Sequence, residues 1–134
     1  MKGIADTGFL VAFVSRNDRH HEWAVSIAEE ITEPLLTCEA VLSETAFHLG
    51  SCSAVLKLIS QQLVTLAFDC KEHLLPLEAL AKRYADRKPD LADLCLIRMT
   101  EVYLKHSLVT VDGDFRIYRR NKRDTIPLIC PPDR

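Results

Sequence analysis

The chain is poor in the features that mark several protein classes. It has four glycines and one tryptophan in 134 residues, with no repeat, linker or low-complexity segment. No apolar run approaches the roughly 20 residues of a membrane-spanning helix, so no membrane partner is expected. The first residues lack a basic region followed by an apolar core and a small-residue cleavage site, and the expected compartment is therefore cytoplasmic. Cys38, Cys52, Cys70, Cys95 and Cys130 are odd in number and scattered, without a CxxC pair, so neither a zinc site nor a disulfide framework follows. Most of them read as small core residues. His20 and His21 precede Glu22, but HExxH spacing is absent, which removes support for a zincin-type site.

What is present fits one globular domain spanning 1–134, long enough to bury a core. A net charge of −2, spread evenly, would disfavour a nucleic-acid partner. The charge is not spread evenly: Arg116, Arg119, Arg120, Lys122 and Arg123 form a cluster with no acid among them. A local patch decides whether a phosphate backbone is attracted. Charge pattern alone explains the cluster equally well as a solvated helix surface.

Strands and helices alternate along the chain. Ile4-Ala5 reads as a short buried strand, with Asp6 at its end, Thr7-Gly8 as a tight exit and residues 8–14 as an apolar helix. A second helix is expected from Asp18 or Arg19, with Trp23, Ile27 and Ile31 at four-residue spacing, ending at Glu33-Pro34. Residues 35–38 form the next strand and 39–49 a helix, closed by Gly50, with Ser51 capping its successor. A strand at 64–68 and helical spacing over 71–84 follow. Asp90 is the expected N-cap of a long helix reaching about Lys105. Residues 107–111 form a fourth strand, then a short basic helix and an edge strand at 127–129 are expected. Such alternation implies a parallel sheet covered on both faces, with the carboxyl ends of its strands on one edge.

Acids gather at that edge. Asp6 follows the first strand, Asp112 and Asp114 the fourth, and Glu44 lies in the helix after the second. Asp90 and Asp93 share the first turn of the long helix, with Thr100 and Glu101 continuing roughly that side. Each acid alone reads as a cap, a turn or a solvated residue. Together they raise one another's pKa and call for a counter-charge. An all-oxygen set suits Mg²⁺ or Mn²⁺, ions that serve phosphoryl chemistry, and the nearby arginines suit a polyanionic substrate.

The ordered pieces 4–13, 18–24, 35–37 with 41–44, 83–86, 90–93 and 110–115 with Tyr118-Arg119 resemble the PIN-domain nucleases, specifically the VapC-like toxin branch. The resemblance covers nearly the whole chain. It implies a three-layer α/β/α domain with a short, mainly parallel central sheet, and a Mg²⁺- or Mn²⁺-dependent endoribonuclease. By that resemblance Asp6, Glu44, Asp93 and Asp112 are the four acids, with Asp114 an additional acid of the last motif. Asp6, Asp93 and Asp112 would hold the metal, and Glu44 and Asp114 would complete the pocket, bind a second ion or orient the attacking water. Thr7 would orient water or a phosphate oxygen, and Arg116, Arg119 and Arg120 are the candidates for the RNA backbone. Leu94 stands where the family more often has alanine.

A toxin would have a small antitoxin partner that blocks the pocket. The apolar stretches 9–14 and 23–31 would serve a homodimer, although core burial explains them equally. The alternatives are a stand-alone PIN nuclease in RNA processing or on structured DNA, and a noncatalytic metal- or partner-binding module. A phosphoacceptor using Asp6 or Asp112 ranks last, because no strand-end lysine is plainly placed to assist it.

Overall fold

The computed structural model describes residues 1–132, so the expected span 1–134 closes on two residues outside them. In chain order the elements are β1 (Gly3–Ala5), α1 (Thr7–Val14), α2 (His21–Glu29), β2 (Leu35–Thr37), α3 (Glu39–Leu49), α4 (Cys52–Ser60) and β3 (Val64–Leu66). Then come α5 (Leu74–Arg83), α6 (Leu91–Val102), β4 (Ser107–Val109), β5 (Arg119–Arg120), β6 (Asp124–Thr125) and β7 (Leu128–Ile129). β1, β2, β3, β4 and β7 form one sheet in the order β3-β2-β1-β4-β7, and all its pairs are parallel. Helices cover it in a three-layer α/β/α arrangement. Among the described residues no helix is long and apolar enough to cross a membrane.

The central strands are short apolar runs buried on both faces, as a covered parallel sheet requires. Ile4, Ala5, Leu108 and Val109 are wholly buried, and Leu35 joins them from β2. Phe9, Leu10, Ala12, Ala24 and Ile27 are buried inside the chain, so core packing accounts for the apolar faces of the first two helices. Gly50 closes α3 at φ +66°, the left-handed conformation that glycine adopts without strain, and the Ser51 hydroxyl accepts from the Ala54 N–H at the start of α4.

Several local expectations are corrected. α2 begins at His21, because the Asp18 carboxylate accepts from the His20 N–H and holds residues 18–20 in a turn. The expected helix over 71–84 opens as a 3₁₀ turn at Cys70–His73 before α5. α6 ends at Val102, short of Lys105. The strands stop short of their expected ends, by one residue at Thr37 and by two at Leu66 and Val109. The short basic helix is absent. A 3₁₀ turn at Gly113–Arg116 leads instead into the antiparallel ribbon β5–β6, whose reversal places Asn121 and Lys122 at φ 50° and 72°. A helix cannot carry two successive left-handed residues.

Candidate active site

β1 pairs with β2 on one side and with β4 on the other, so the chain departs in opposite directions from the ends of β1 and β4. Open α/β sheets bind ligands in the crevice at such a switch point. Asp6 follows β1 directly and is the N-cap of α1; its Oδ1 accepts from the Thr7 N–H at 2.6 Å. Oδ2 accepts from the Thr110 hydroxyl at 2.6 Å, and Thr110 Oγ1 in turn accepts from the Asp112 N–H at 2.9 Å. Both oxygens of Asp6 are therefore fixed, in a side chain only 6% exposed. Asp6 is a cap and a wall of the cleft at once.

α6 delivers the next acid through its own cap. Asp90 Oδ1 accepts from the Asp93 N–H at 2.8 Å, and Asp93 Oδ2 accepts from the Asp90 N–H at 3.3 Å, a reciprocal capping box. Asp90 is thus the N-cap its position predicts, and the box fixes Asp93 at the mouth of the crevice. Asp6, Thr7, Glu44, Asp93 and Asp112 line one cleft of about 350 Å³. Asp18, Arg19, His20 and His48 line it too.

Crowding and burial set the charges. Burial pushes the Asp6 carboxyl up to about 6; the hydrogen bonds from Thr110 and Thr7 oppose this, and the charges of Asp112 and Glu44 add to it. Burial first, then the Asp90 charge, pushes Asp93 up to about 7, with Asp6 and Asp112 contributing. Glu44 is raised as well, by burial and then by Asp90. Burial and then the charges of Asp93, Asp114 and Asp112 push the Tyr118 phenol up to about 12.

Thr7 Oγ1 is buried beside Glu44 but makes no hydrogen bond of acceptable geometry. An orphaned hydroxyl among carboxylates that resist ionising together fits a hard divalent cation or its water, and the all-oxygen donors fit Mg²⁺ or Mn²⁺. Among the described residues no three carboxylate, imidazole or thiol groups already stand at coordination spacing, so the acids face one cleft without enclosing an ion.

The remaining expected residues are placed differently. Asp114 is exposed, and its N–H donates to Asp112 Oδ1 at 2.8 Å; it does not line the cleft. Arg116 lines an adjoining cleft with Arg19, His20 and Asp112. One guanidinium nitrogen of Arg119 donates to the carbonyls of Arg116, Ile117 and Tyr118. Arg120 donates to the carbonyls of Thr100 and Leu104 at the end of α6, and its Nε is buried without a partner. Thr100 and Glu101 do not continue the acid face. The Thr100 hydroxyl donates to the Ile97 carbonyl, and Glu101 accepts from Arg98 and the Asn121 N–H.

Sequence reasoning missed Thr110 and the Arg19-His20 wall. The available signals were a hydroxyl two residues before Asp112 and an Arg-His pair next to Asp18. Neither points to the cleft until β1 is known to pair with β4.

No curated protein matches the chain. The PIN-domain family model matches residues 4–121, a span that holds Asp6, Glu44, Asp93 and Asp112 together with all of the sheet except Gly3 and β7. The chain belongs to the PIN-domain family, whose members are generally nucleases.

Proposed function

We propose that the cleft hydrolyses RNA phosphodiester bonds in the cytoplasm, with Mg²⁺ or Mn²⁺ held by Asp6, Asp93 and Asp112. The observation that carries this reading is the clamped Asp6 carboxylate, held by Thr7 and Thr110 in a cleft with four other acids. When bound, the ion would neutralise the carboxylates and stabilise charge on the phosphate.

The chain's own groups supply the rest. Glu44, beside the orphaned Thr7 hydroxyl, accepts a hydrogen bond from the attacking water and orients it. Thr7 Oγ1 donates to a phosphate oxygen or to that water. Arg19 belongs to both the acid cleft and the cleft of Arg116, so these two arginines mark the path of the RNA backbone past Asp112. In-line attack at phosphorus expels the 3′ oxygen and leaves a 5′ phosphate. Asp114, exposed and outside the cleft, is the least directly placed of the five expected acids for that step.

Labelled RNA and DNA incubated with Mn²⁺ test the reading, with Asp6→Asn as control. RNA cleavage that Asp6→Asn abolishes while keeping the fold is the expected result. Turnover by Asp6→Asn near the wild-type rate overturns the assignment, and preferential cutting of structured DNA moves the chain to the alternative substrate.

A toxin role within a type II pair is the further part of this proposal. Phe47 and Leu91, 81% and 55% exposed, stand with Ala40 and Ala92 on an apolar shelf that also carries Glu44 and Asp90. A small antitoxin seated on that shelf would cover the mouth of the acid cleft. A neighbouring gene for a short protein that inhibits cleavage, with inhibition lost in Phe47→Asp, is the expected finding. Undiminished inhibition of Phe47→Asp would remove the shelf from the interface.

A further inference from the structure

Three of the five cysteines meet at one place that the acid cleft does not use. Cys38 is the N-cap of α3, Cys95 lies in the second turn of α6, and Cys70 opens the 3₁₀ turn before α5. Cys70 Sγ and Cys95 Sγ are 3.4 Å apart although the residues are 25 positions apart in sequence. Cys95 is fully buried and Cys38 nearly so, whereas Cys70 is half-buried and is the member of the trio that solvent can reach. The Cys38 thiol lies close enough to that of Cys95 for the two to perturb each other, which places the third sulfur beside the pair. Cys52 is exposed on α4, and Cys130 accepts a hydrogen bond from Arg116 beside Asp112. None of the trio lines the acid cleft.

An accessible thiol touching a buried one is the arrangement in which oxidation of the outer sulfur is resolved by the inner. We propose that Cys70 and Cys95 are a reversible oxidation site, closed to a disulfide by hydroperoxides. In the first step the Cys70 sulfur attacks the terminal peroxide oxygen. The O–O bond breaks, the leaving oxygen departs as water or alcohol, and Cys70 becomes a sulfenic acid. Cys95 sulfur then attacks Cys70 sulfur, an S–S bond forms, and hydroxide leaves to be protonated to water by the proton that Cys95 gives up. The two thiols lose two electrons and the peroxide gains them. A dithiol reductant returns both electrons and both protons.

The bond would fasten the Cys70–His73 turn to α6, the helix whose first turn carries Asp93. The other half of the loop it closes is α5, which already packs against α6, so the clamp follows packing that exists in the reduced chain. The exposed thiol of Cys52 offers no such neighbour, and oxidation there has no resolving partner within the described residues.

The test is direct mapping of the full chain treated with a small excess of hydrogen peroxide, then alkylated and digested without reductant. The expected product is one peptide pair linked through Cys70 and Cys95, two mass units lighter than the reduced pair and released by dithiothreitol. Cys70→Ser should abolish that link, whereas Cys38→Ser and Cys52→Ser should retain it. Recovery of Cys95 in alkylated form beside Cys70 sulfinic acid would overturn the proposal, as would a link between any other two cysteines in the wild-type chain. The wild-type map needs no variant to fold, and it reads sulfur chemistry independently of nuclease activity.

Discussion

Thr110 donates to Asp6 at 2.6 Å across 104 residues of sequence, joining the ends of the two central strands. The same hydroxyl oxygen accepts from the Asp112 N–H, so one side chain both supports the charge of Asp6 and sets the entry of the loop carrying Asp112. The bond exists because β1 and β4 pair in register, Ala5 opposite Val109, which leaves their next residues side by side. Sheet pairing, side-chain chemistry and the electrostatics of the cleft meet there.

Thr110→Val keeps the shape of that side chain and removes its hydrogen bonds. A hydrogen bond to a charged group contributes about 2 kcal/mol, equivalent to roughly 1.5 pKa units. Asp6, already raised to about 6 chiefly by burial, should rise further, and the acidic limb of the pH–rate profile should move upward by roughly one unit. Thr110→Ser should restore it. An acidic limb unchanged in Thr110→Val would detach Thr110 from the charge of Asp6.

Raised carboxyls make the ion-free protein weaker at neutral pH. Asp6 goes from 3.8 to about 6 on folding, so the folded state holds its proton more tightly. The stabilisation this gives is fully present below the unfolded value and is lost as pH rises through the folded one. Asp93, raised to about 7, acts in the same direction, weakened by its partial exposure. Between about pH 4 and pH 7 the Asp6 contribution amounts to roughly 3 kcal/mol. Denaturant melts in EDTA should therefore show stability falling over that interval, and less so in Asp6→Asn. Mn²⁺ should stabilise the wild type more at pH 7 than at pH 5, because protons compete for the same oxygens. Equal stabilisation at both pH values would mean that the ion binds elsewhere.

The elements that local chemistry dictates were readable from the residues. Gly50-Ser51 marked a helix end and a helix start, and Asp90 marked the N-cap of the long helix, because each motif acts within four residues. The acids at strand ends were equally legible once strands alternated with helices. The ribbon β5–β6 was not, since Asn121 and Lys122 reverse the chain without a glycine. Arg119 and Arg120 read as free charge, yet their guanidiniums are bonded to carbonyls that the sequence does not bring near. Thr110 belongs with them: its role depends on which strand lies beside β1.

Those arginine hydrogen bonds change which side chains should govern RNA affinity. Removing one arginine–phosphate ion pair lowers the slope of log affinity against log salt by about 0.7 for a single strand. Arg19→Ala with Arg116→Ala should flatten that slope by about 1.4 in filter binding to an uncleavable RNA. Arg120→Ala should leave the slope unchanged and lower stability by roughly 1 kcal/mol, because its bonds cap the final carbonyls of α6. A flattened slope in Arg120→Ala, with none in the Arg19 and Arg116 pair, would reverse the assignment.

Gly8 offers a test in which stability and activity separate. A Cβ at this position would collide with Cγ2 of Val111, the residue joining Thr110 to Asp112. Val111 is β-branched and lacks an easy alternative rotamer, so the strain passes to the backbone that places Asp112. Overpacking of this kind costs about 1–3 kcal/mol, but alanine is favoured over glycine within a helix by about 1 kcal/mol. Gly8→Ala should thus lose only about 1 kcal/mol of stability, while its turnover falls tenfold or more because Asp112 is displaced. Val111→Ala removes the colliding methyl and should recover most of that turnover in the double variant. A double-mutant cycle on kcat, with denaturant melts alongside, separates the two effects. If Gly8→Ala turns over at the wild-type rate, the close approach of α1 to Val111 does not position Asp112.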